Sequence, residues 1–467
     1  MISKSLVRKS GLYFVGNLSS KVMSGLLIPI YAFYVNANDL GYFDFSQTVM
    51  GVASPIIILA IWEAVLKFVL SEDNIQTKER IIATSAIFSI FMACLVGVST
   101  FLFSLAYANS IRYLNLIVTM IILHSLVYVW QYNTRALKEN KLFVVSGVVS
   151  TIVNFISVIL LVVIMKQGLL GLIVSYNVGQ LSIIIVIERK IRVIRKLKFK
   201  NFDFNILKRM LSFSTPLVFN LISAWLISGI GRIIITAKLG TEQNGIYSFA
   251  NKFSLIVTMI GTVITMAIVE EAIISVKKKG LDSNFNKTLE GLFKIFQYFS
   301  LLALPSIVVF YKVIGSTDYY ESLYITPWLL MYAVANTMAS NFGTVFQAID
   351  KTKYQFLTTL IGGIVTVIIS FSFINLLGVS AVIIGQICGA ILMMLSRYVL
   401  INQFTEMRVN WLPILLRSVL FILVTIVCIN VSTYTNILIE ILLTLIIFYL
   451  NKNIIKMGWS KIKGRGK

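Results

Sequence analysis

One histidine, three cysteines and nineteen acidic residues in a chain of 467 leave little of the usual catalytic chemistry. A lone His124 excludes a histidine-based metal centre. Cys94, Cys388 and Cys428 all lie in apolar runs, so no disulfide framework is implied. Charged residues are only 13% of the chain, against about 25% in soluble domains. Hydrophobic residues reach 58% and mean hydropathy is +0.88. These values exclude a soluble enzyme, a disordered chain and a secreted disulfide scaffold. What remains is a polytopic membrane protein.

A bilayer-crossing helix needs roughly 20 mostly apolar residues. Runs of that kind predict an all-α integral membrane protein with fourteen transmembrane helices, from about 11–35 and 43–70 at the start to about 411–431 and 435–451 at the end. The first run is broken by Lys21 and has no small-residue cleavage site, so it reads as a span and not a signal peptide. Proline is scarce, with six in all. Pro29, Pro55, Pro305 and Pro327 lie in or at the edge of spans and mark bends, whereas Pro216 suits a first helical turn.

Lysine and arginine number 41, for a net charge of +22. In a soluble protein this would suggest nucleic acid; here it reports topology. With the N-terminus in the cytoplasm, inside segments hold 31 of these cations and outside loops four, namely Arg112, Lys166, Lys238 and Lys312. Arg397 counts among the inside cations. Both termini are then cytoplasmic and no nucleic-acid partner is implied. The predicted division is an N-lobe over 1–188, a basic linker over 189–212 that reads as an interfacial amphipathic helix, a C-lobe over 213–401, and a final hairpin with a basic tail over 402–467.

The two lobes resemble each other. LGYFDFSQ at 40–47 matches NGIYSFAN at 244–251, and ALKENKLF at 136–143 matches AIDKTKYQ at 348–355. LLG then recurs at 169–171 and 376–378, and GQ at 179–180 and 385–386. In order and at nearly constant offset, these argue for two six-helix repeats plus an added hairpin. Because six is even, the repeats are parallel, related by an axis along the membrane normal.

The segments LIPIYAFYVNANDLGYFDFSQ at 27–47, STPL at 214–217 and KLGTEQNGIYSFANKFS at 238–254 carry a family resemblance. So does the stretch from Gln131 to Lys141. They resemble Wzx-type polysaccharide flippases of the multidrug/oligosaccharidyl-lipid/polysaccharide (MOP) exporter superfamily. The resemblance implies transport of undecaprenyl-pyrophosphate-linked oligosaccharide from the inner to the outer leaflet of a bacterial cytoplasmic membrane. The product would be capsule, O-antigen or exopolysaccharide. It implies membrane lipids and the pathway's polymerase and chain-length proteins as partners, no cofactor, and room for coupling to a proton or sodium gradient. Relatives often carry an acid beside the arginine of the seventh span; here Gly231 precedes Arg232.

A charge at the bilayer centre costs about 2.5–3.5 kcal/mol, so each should face protein or a water-filled cavity. Asn17, Lys21 and Ser24 form one polar stripe on span one, and Ser228 and Arg232 share a face of span seven. Asn251 and Lys252 lie in span eight, with Lys252 and Arg232 at depths about 3 Å apart. These seven residues are the expected site for an anionic head group, phosphate or acidic sugar. Glu63 and Lys67, spaced for an ion pair, and His124 are candidates for a gate or for ion coupling. Lys294 and Arg417, near the cytoplasmic side, read as lipid head-group contacts that snorkel. Gly385 and Gly389 form a GxxxG pair suited to helix packing.

Two other classes compete. A drug antiporter would want deep carboxylates for a cationic guest, and every acid inside a predicted span lies near its cytoplasmic end. A polymerase or glycosyltransferase would want a substantial outer loop with catalytic groups, and no outer loop exceeds about a dozen residues. The chain therefore reads as a flippase and not an enzyme, with another lipid-linked cell-wall precursor as the alternative cargo.

Overall fold

The computed structural model describes residues 23, 25–106, 111–197, 201–279, 283–349 and 351–452. Side chains at 223, 224, 226–228 and 262–279, among a few others, fall outside that description. The fold is all-α. In chain order the helices are α1 (Gly25–Tyr34), α2 (Ala37–Ile57), α3 (Ile61–Ser71), α4 (Ile75–Ala106) and α5 (Leu114–Ala136). Then come α6 (Asn140–Val158, continued by a π-helical turn to Ile164), α7 (Gly168–Ile191), α8 (Phe204–Leu239), α9 (Thr241–Lys279) and α10 (Ser283–Val313). The last five are α11 (Thr326–Ala348), α12 (Thr352–Leu377), α13 (Val379–Ile401), α14 (Trp411–Asn430) and α15 (Thr433–Leu450).

Among the described residues, nine helices are long and apolar enough to cross a membrane, or ten when α2 and α3 count as one bent span. The chain is thus a multi-pass integral membrane protein. It divides into two compact units, residues 1–248 and 249–467.

Local chemistry sets the helix ends. The Asn36 side chain accepts from Asp39 N–H at 2.7 Å and starts α2. Asp203 accepts from the N–H groups of Asn205 and Ile206 at 2.8 and 3.1 Å and starts α8. Pro216 therefore lies well inside α8, not in a first turn as expected, because the cap sits earlier. Within the expected linker over 189–212, Arg192 at φ 54° ends α7, Glu188 accepts the Ile194 N–H at 2.8 Å, a short turn covers Ile194–Lys196, and the residues from Phe204 onward belong to α8; residues 198–200 lie outside the description. At Ile58–Ala60 the chain bends by 53°, with Leu59 and Ala60 left-handed at φ 49° and 47°. Pro55, one turn earlier, is the bend-marking proline expected there.

The core of unit 1–248 is built from α3, α4, α5, α7 and α8, with Ile61, Trp62, Val65, Ile82, Trp130 and Ile187 almost fully buried. The segments matched as repeats come together in this unit. Gly41 of α2 lies against Thr241 and Gly245 of α9, so closely that a Cβ on Gly41 would run into the Thr241 carbonyl and one on Gly245 into that of Ala37. Gly41 and Gly245 stand at matching positions of the segments 40–47 and 244–251. Asn244 Nδ2 donates to the Gly41 carbonyl at 2.8 Å, and Thr241 Oγ1 donates to Asn38 Oδ1. In unit 249–467, Gly385 and Gly389 let α13 close on Gly362, Thr366 and Ser370 of α12, with Thr366 Oγ1 donating to the Gly385 carbonyl at 3.2 Å.

Candidate functional site

Helix α2 begins at Ala37, so Asp44 lies two turns inside it, about 10 Å from its start. There its Oδ2 stands 2.8 Å from Arg232 Nε of α8. Both side chains are mostly buried, at 15% and 19% exposure. The expectation that acids within spans lie only near the cytoplasmic end fails at this point. Asp44 already stands at the outer end of the 43–70 run, and the Asn36 cap places it two turns inside α2. Glu440, seven residues into α15, is a second such acid; its Oε1 accepts from Ser306 Oγ of α10 at 2.5 Å.

Around this pair, Trp225 of α8 donates from Nε1 to the Thr48 carbonyl of α2 at 2.9 Å, holding the two helices in register. At the start of α2, Asp39 accepts from Arg112 at 2.9 Å and from the Leu169 N–H at 3.1 Å, tying α2 to α7. Asn251 Oδ1 accepts from Ser254 Oγ at 2.6 Å. Asn17, Lys21 and Ser24 lie outside the described residues, as does the side chain of Ser228.

The candidate gate residues separate into two environments. Glu63 Oε1 accepts from Trp62 Nε1 at 3.1 Å and from Tyr132 OH at 3.2 Å. Trp62 stacks on Tyr128 with ring centroids 4.4 Å apart, and His124 meets Tyr128 edge-on at 4.8 Å. His124 Nδ1 also lies 3.4 Å from Tyr176 OH. Glu63 and His124 thus share one aromatic cluster on α3, α5 and α7. Lys67 does not join it. Its ammonium sits over the Phe213 ring of α8, 3.9 Å from the centroid, in place of the i, i+4 ion pair with Glu63. Glu63 turns instead to two aromatic donors.

In the other unit, Arg417 Nε donates to Gln297 Oε1 at 2.8 Å, and Arg417 and Lys294 both line a polar cavity beside Tyr298. Arg397, counted as a solvated inside cation, is instead 3% exposed within α13. It donates to Thr358 and Thr359 Oγ1 at 3.0 and 2.6 Å and to the carbonyls of Ala339 and Gln355 at 2.5 and 3.3 Å. Hydropathy misses Arg397 because it stands near the end of an apolar run. Glu440 is legible only as the one acid of its helix, and Asp44 only as the second acid of a helix that Asp39 begins.

Residues 6–269 match the family described as polysaccharide biosynthesis protein, which is more than half of the 467-residue chain. The chain belongs to that family. No curated protein matches the sequence. Among solved structures, the lipid II flippase MurJ in an inward-closed conformation is similar at TM-score 0.66 and 16% identity, over 96% of this chain and 100% of that one. An inward-facing multidrug resistance MATE family transporter of the MOP superfamily is similar at TM-score 0.65 and 14% identity, over 83% of this chain and 98% of that one. A MATE crystal structure in the straight conformation gives 0.56 and 15%, over 85% and 95%. At such identities these likenesses establish the fold, which this chain shares with those transporters.

Proposed function

We propose that this family member is a flippase for lipid-linked oligosaccharides. It carries undecaprenyl-pyrophosphate-linked repeat units from the cytoplasmic to the outer leaflet of the bacterial cytoplasmic membrane by alternating access, and it performs no catalysis. The family match over residues 6–269 carries this reading. Taking α1, α8, α9 and α11 as crossing too gives fourteen spans, two six-helix lobes and the α14–α15 hairpin, with both termini cytoplasmic.

Arg232 supplies the chemistry for the cargo. A guanidinium paired with a carboxylate can exchange that partner for phosphate oxygens, which it binds bidentately. Asp44 keeps the cation satisfied between cycles and is released when the pyrophosphate arrives. Lys21 and Lys252, with Asn17, Ser24, Ser228 and Asn251, extend the same anion site. An anion that contacts the lobes differently in two states biases their equilibrium. The Gly41–Gly245 crossing is the contact that must part on opening. Cysteines placed at Asn38 and Thr241, in a background without the three native cysteines, should cross-link and stop transport until reduced.

The drug-antiporter reading gains from Asp44 and Glu440, carboxylates inside helices, and from the MATE likeness. The deciding experiment is the lipid-linked oligosaccharide pool in cells with and without the protein, identified by mass spectrometry. Accumulation of a complete polyprenyl-pyrophosphate repeat unit with loss of surface polymer supports the flippase and names its sugar. An unchanged pool with intact polymer, in cells lacking any second flippase, sinks it in favour of the antiporter.

A further inference from the structure

Two cavities in unit 249–467 meet at Ile414 and Arg417 of α14. One, of about 230 Å³, lies among α10, α11, α13 and α14 and is lined mainly by apolar groups such as Phe293, Val334, Met394 and Phe421. The other, of about 270 Å³, is polar and opens between Lys287, Glu290, Lys294, Asn410 and Arg417.

Charge at the polar cavity is unbalanced. Three cations face one carboxylate, and Glu290 is engaged in accepting the Asn410 N–H at 2.7 Å. Lys287 and Lys294 make no hydrogen bond or ion pair among the described residues. Arg417 uses only Nε, on Gln297, and Gln297 is itself fixed by donating to the Ile414 carbonyl and Ser418 Oγ at 2.9 and 3.0 Å. The guanidinium is therefore held at the junction, and among the described residues its two terminal nitrogens take no hydrogen-bond partner. The first turn of α14, the positive end of its dipole, borders the same opening.

We infer that these joined cavities bind one anionic glycerophospholipid, with its phosphodiester on Arg417, Lys294 and Lys287 and the upper part of one acyl chain in the apolar space. Neither half of the site explains the other without such a ligand. A bare anion leaves the apolar cavity empty, and an uncharged lipid leaves three cations unmatched. An apolar cavity of 150 Å³ accepts benzene, so about 230 Å³ has room for on the order of nine carbons, a chain segment and not a long polyprenyl tail. The site lies wholly within one unit and does not involve the Arg232–Asp44 pair, so it is independent of the cargo reading.

Native mass spectrometry of the purified full-length protein, delipidated in detergent, tests this with added phosphatidylglycerol, phosphatidylcholine of the same chains, or inorganic phosphate. One phosphatidylglycerol should be retained per chain, about ten-fold better than phosphatidylcholine, and Arg417→Gln should remove most of that preference. Val334→Phe, which fills the apolar cavity and leaves every charge in place, should lower retention of phosphatidylglycerol by a similar factor; it keeps the test open if Arg417→Gln does not fold. Equal retention of the two lipids overturns the proposal, as does indifference to Val334→Phe. Displacement of the lipid by millimolar inorganic phosphate would reduce the site to a simple anion pocket. Displacement by polyprenyl phosphate at equal concentration would make it a cargo site instead.

Discussion

Arg232 and Arg397 both lie inside apolar helices, one in each compact unit, and they are satisfied in opposite ways. Arg232 stands against a carboxylate, Asp44, and keeps 19% of its side chain exposed. Arg397 is 3% exposed and donates to two threonine hydroxyls and two carbonyls, with no carboxylate among its described partners. A carboxylate partner can be exchanged for another anion, since the incoming charge restores what is lost. Four neutral acceptors spread over α11 and α12 cannot be replaced by a guest that cannot reach them. One arginine is suited to a cycle of binding and release; the other locks helices together.

The largest effect should come from Arg397. Arg397→Met strips charge-assisted hydrogen bonds from buried acceptors and leaves a poorly filled space, for a loss of about 3–5 kcal/mol. Thermal unfolding in detergent should fall sharply and yield should drop with it. If Arg397→Met were as stable as the parent while transport stopped, Arg397 would be functional and the contrast would collapse. Arg232→Gln should cost about 3 kcal/mol, because it leaves the mostly buried Asp44 carboxylate without its cation. Export should also fail, with the lipid-linked pool raised. Exchanging the two, Asp44→Arg with Arg232→Asp, should recover the stability and not the export. Recovery of both would make the pair a structural tie.

The all-α multi-pass architecture is legible in the sequence because it follows from a one-dimensional signal, the length of apolar runs. The family is legible for the same reason, in contiguous stretches such as 238–254. The site is less so. Arg232 stands out as a cation in an apolar run, but its partner lies on another helix far away in sequence, and no spacing rule connects them. Asp44 looked peripheral because the span was read from hydropathy, whereas the Asn36 cap begins the helix two turns earlier. Glu63 and Lys67 fail in the other direction. Their i, i+4 spacing permits an ion pair, but spacing says nothing about Tyr132 and Phe213, which the tertiary fold brings to each of them.

Lys67 supplies a third way to hold a cation in this fold, and the smallest expected effect. Its ammonium rests on the Phe213 face, and α3 packs on α8 at that point. Cation–π contacts of this kind contribute about 0.5–1 kcal/mol at accessible positions. A double-mutant cycle of Lys67→Met with Phe213→Leu should return a coupling of about that size, measured by denaturation of the purified protein. The parallel cycle of Lys67→Met with Glu63→Gln should return none, since Glu63 is engaged with Trp62 and Tyr132. Because an aromatic face offers no net charge to titrate, the Lys67–Phe213 coupling should also persist at acidic pH, where a carboxylate pair would fade. A larger coupling to Glu63 that vanished in acid would instead mean that the two charges pair, and that Lys67 belongs with Arg232 among cations held by an exchangeable carboxylate.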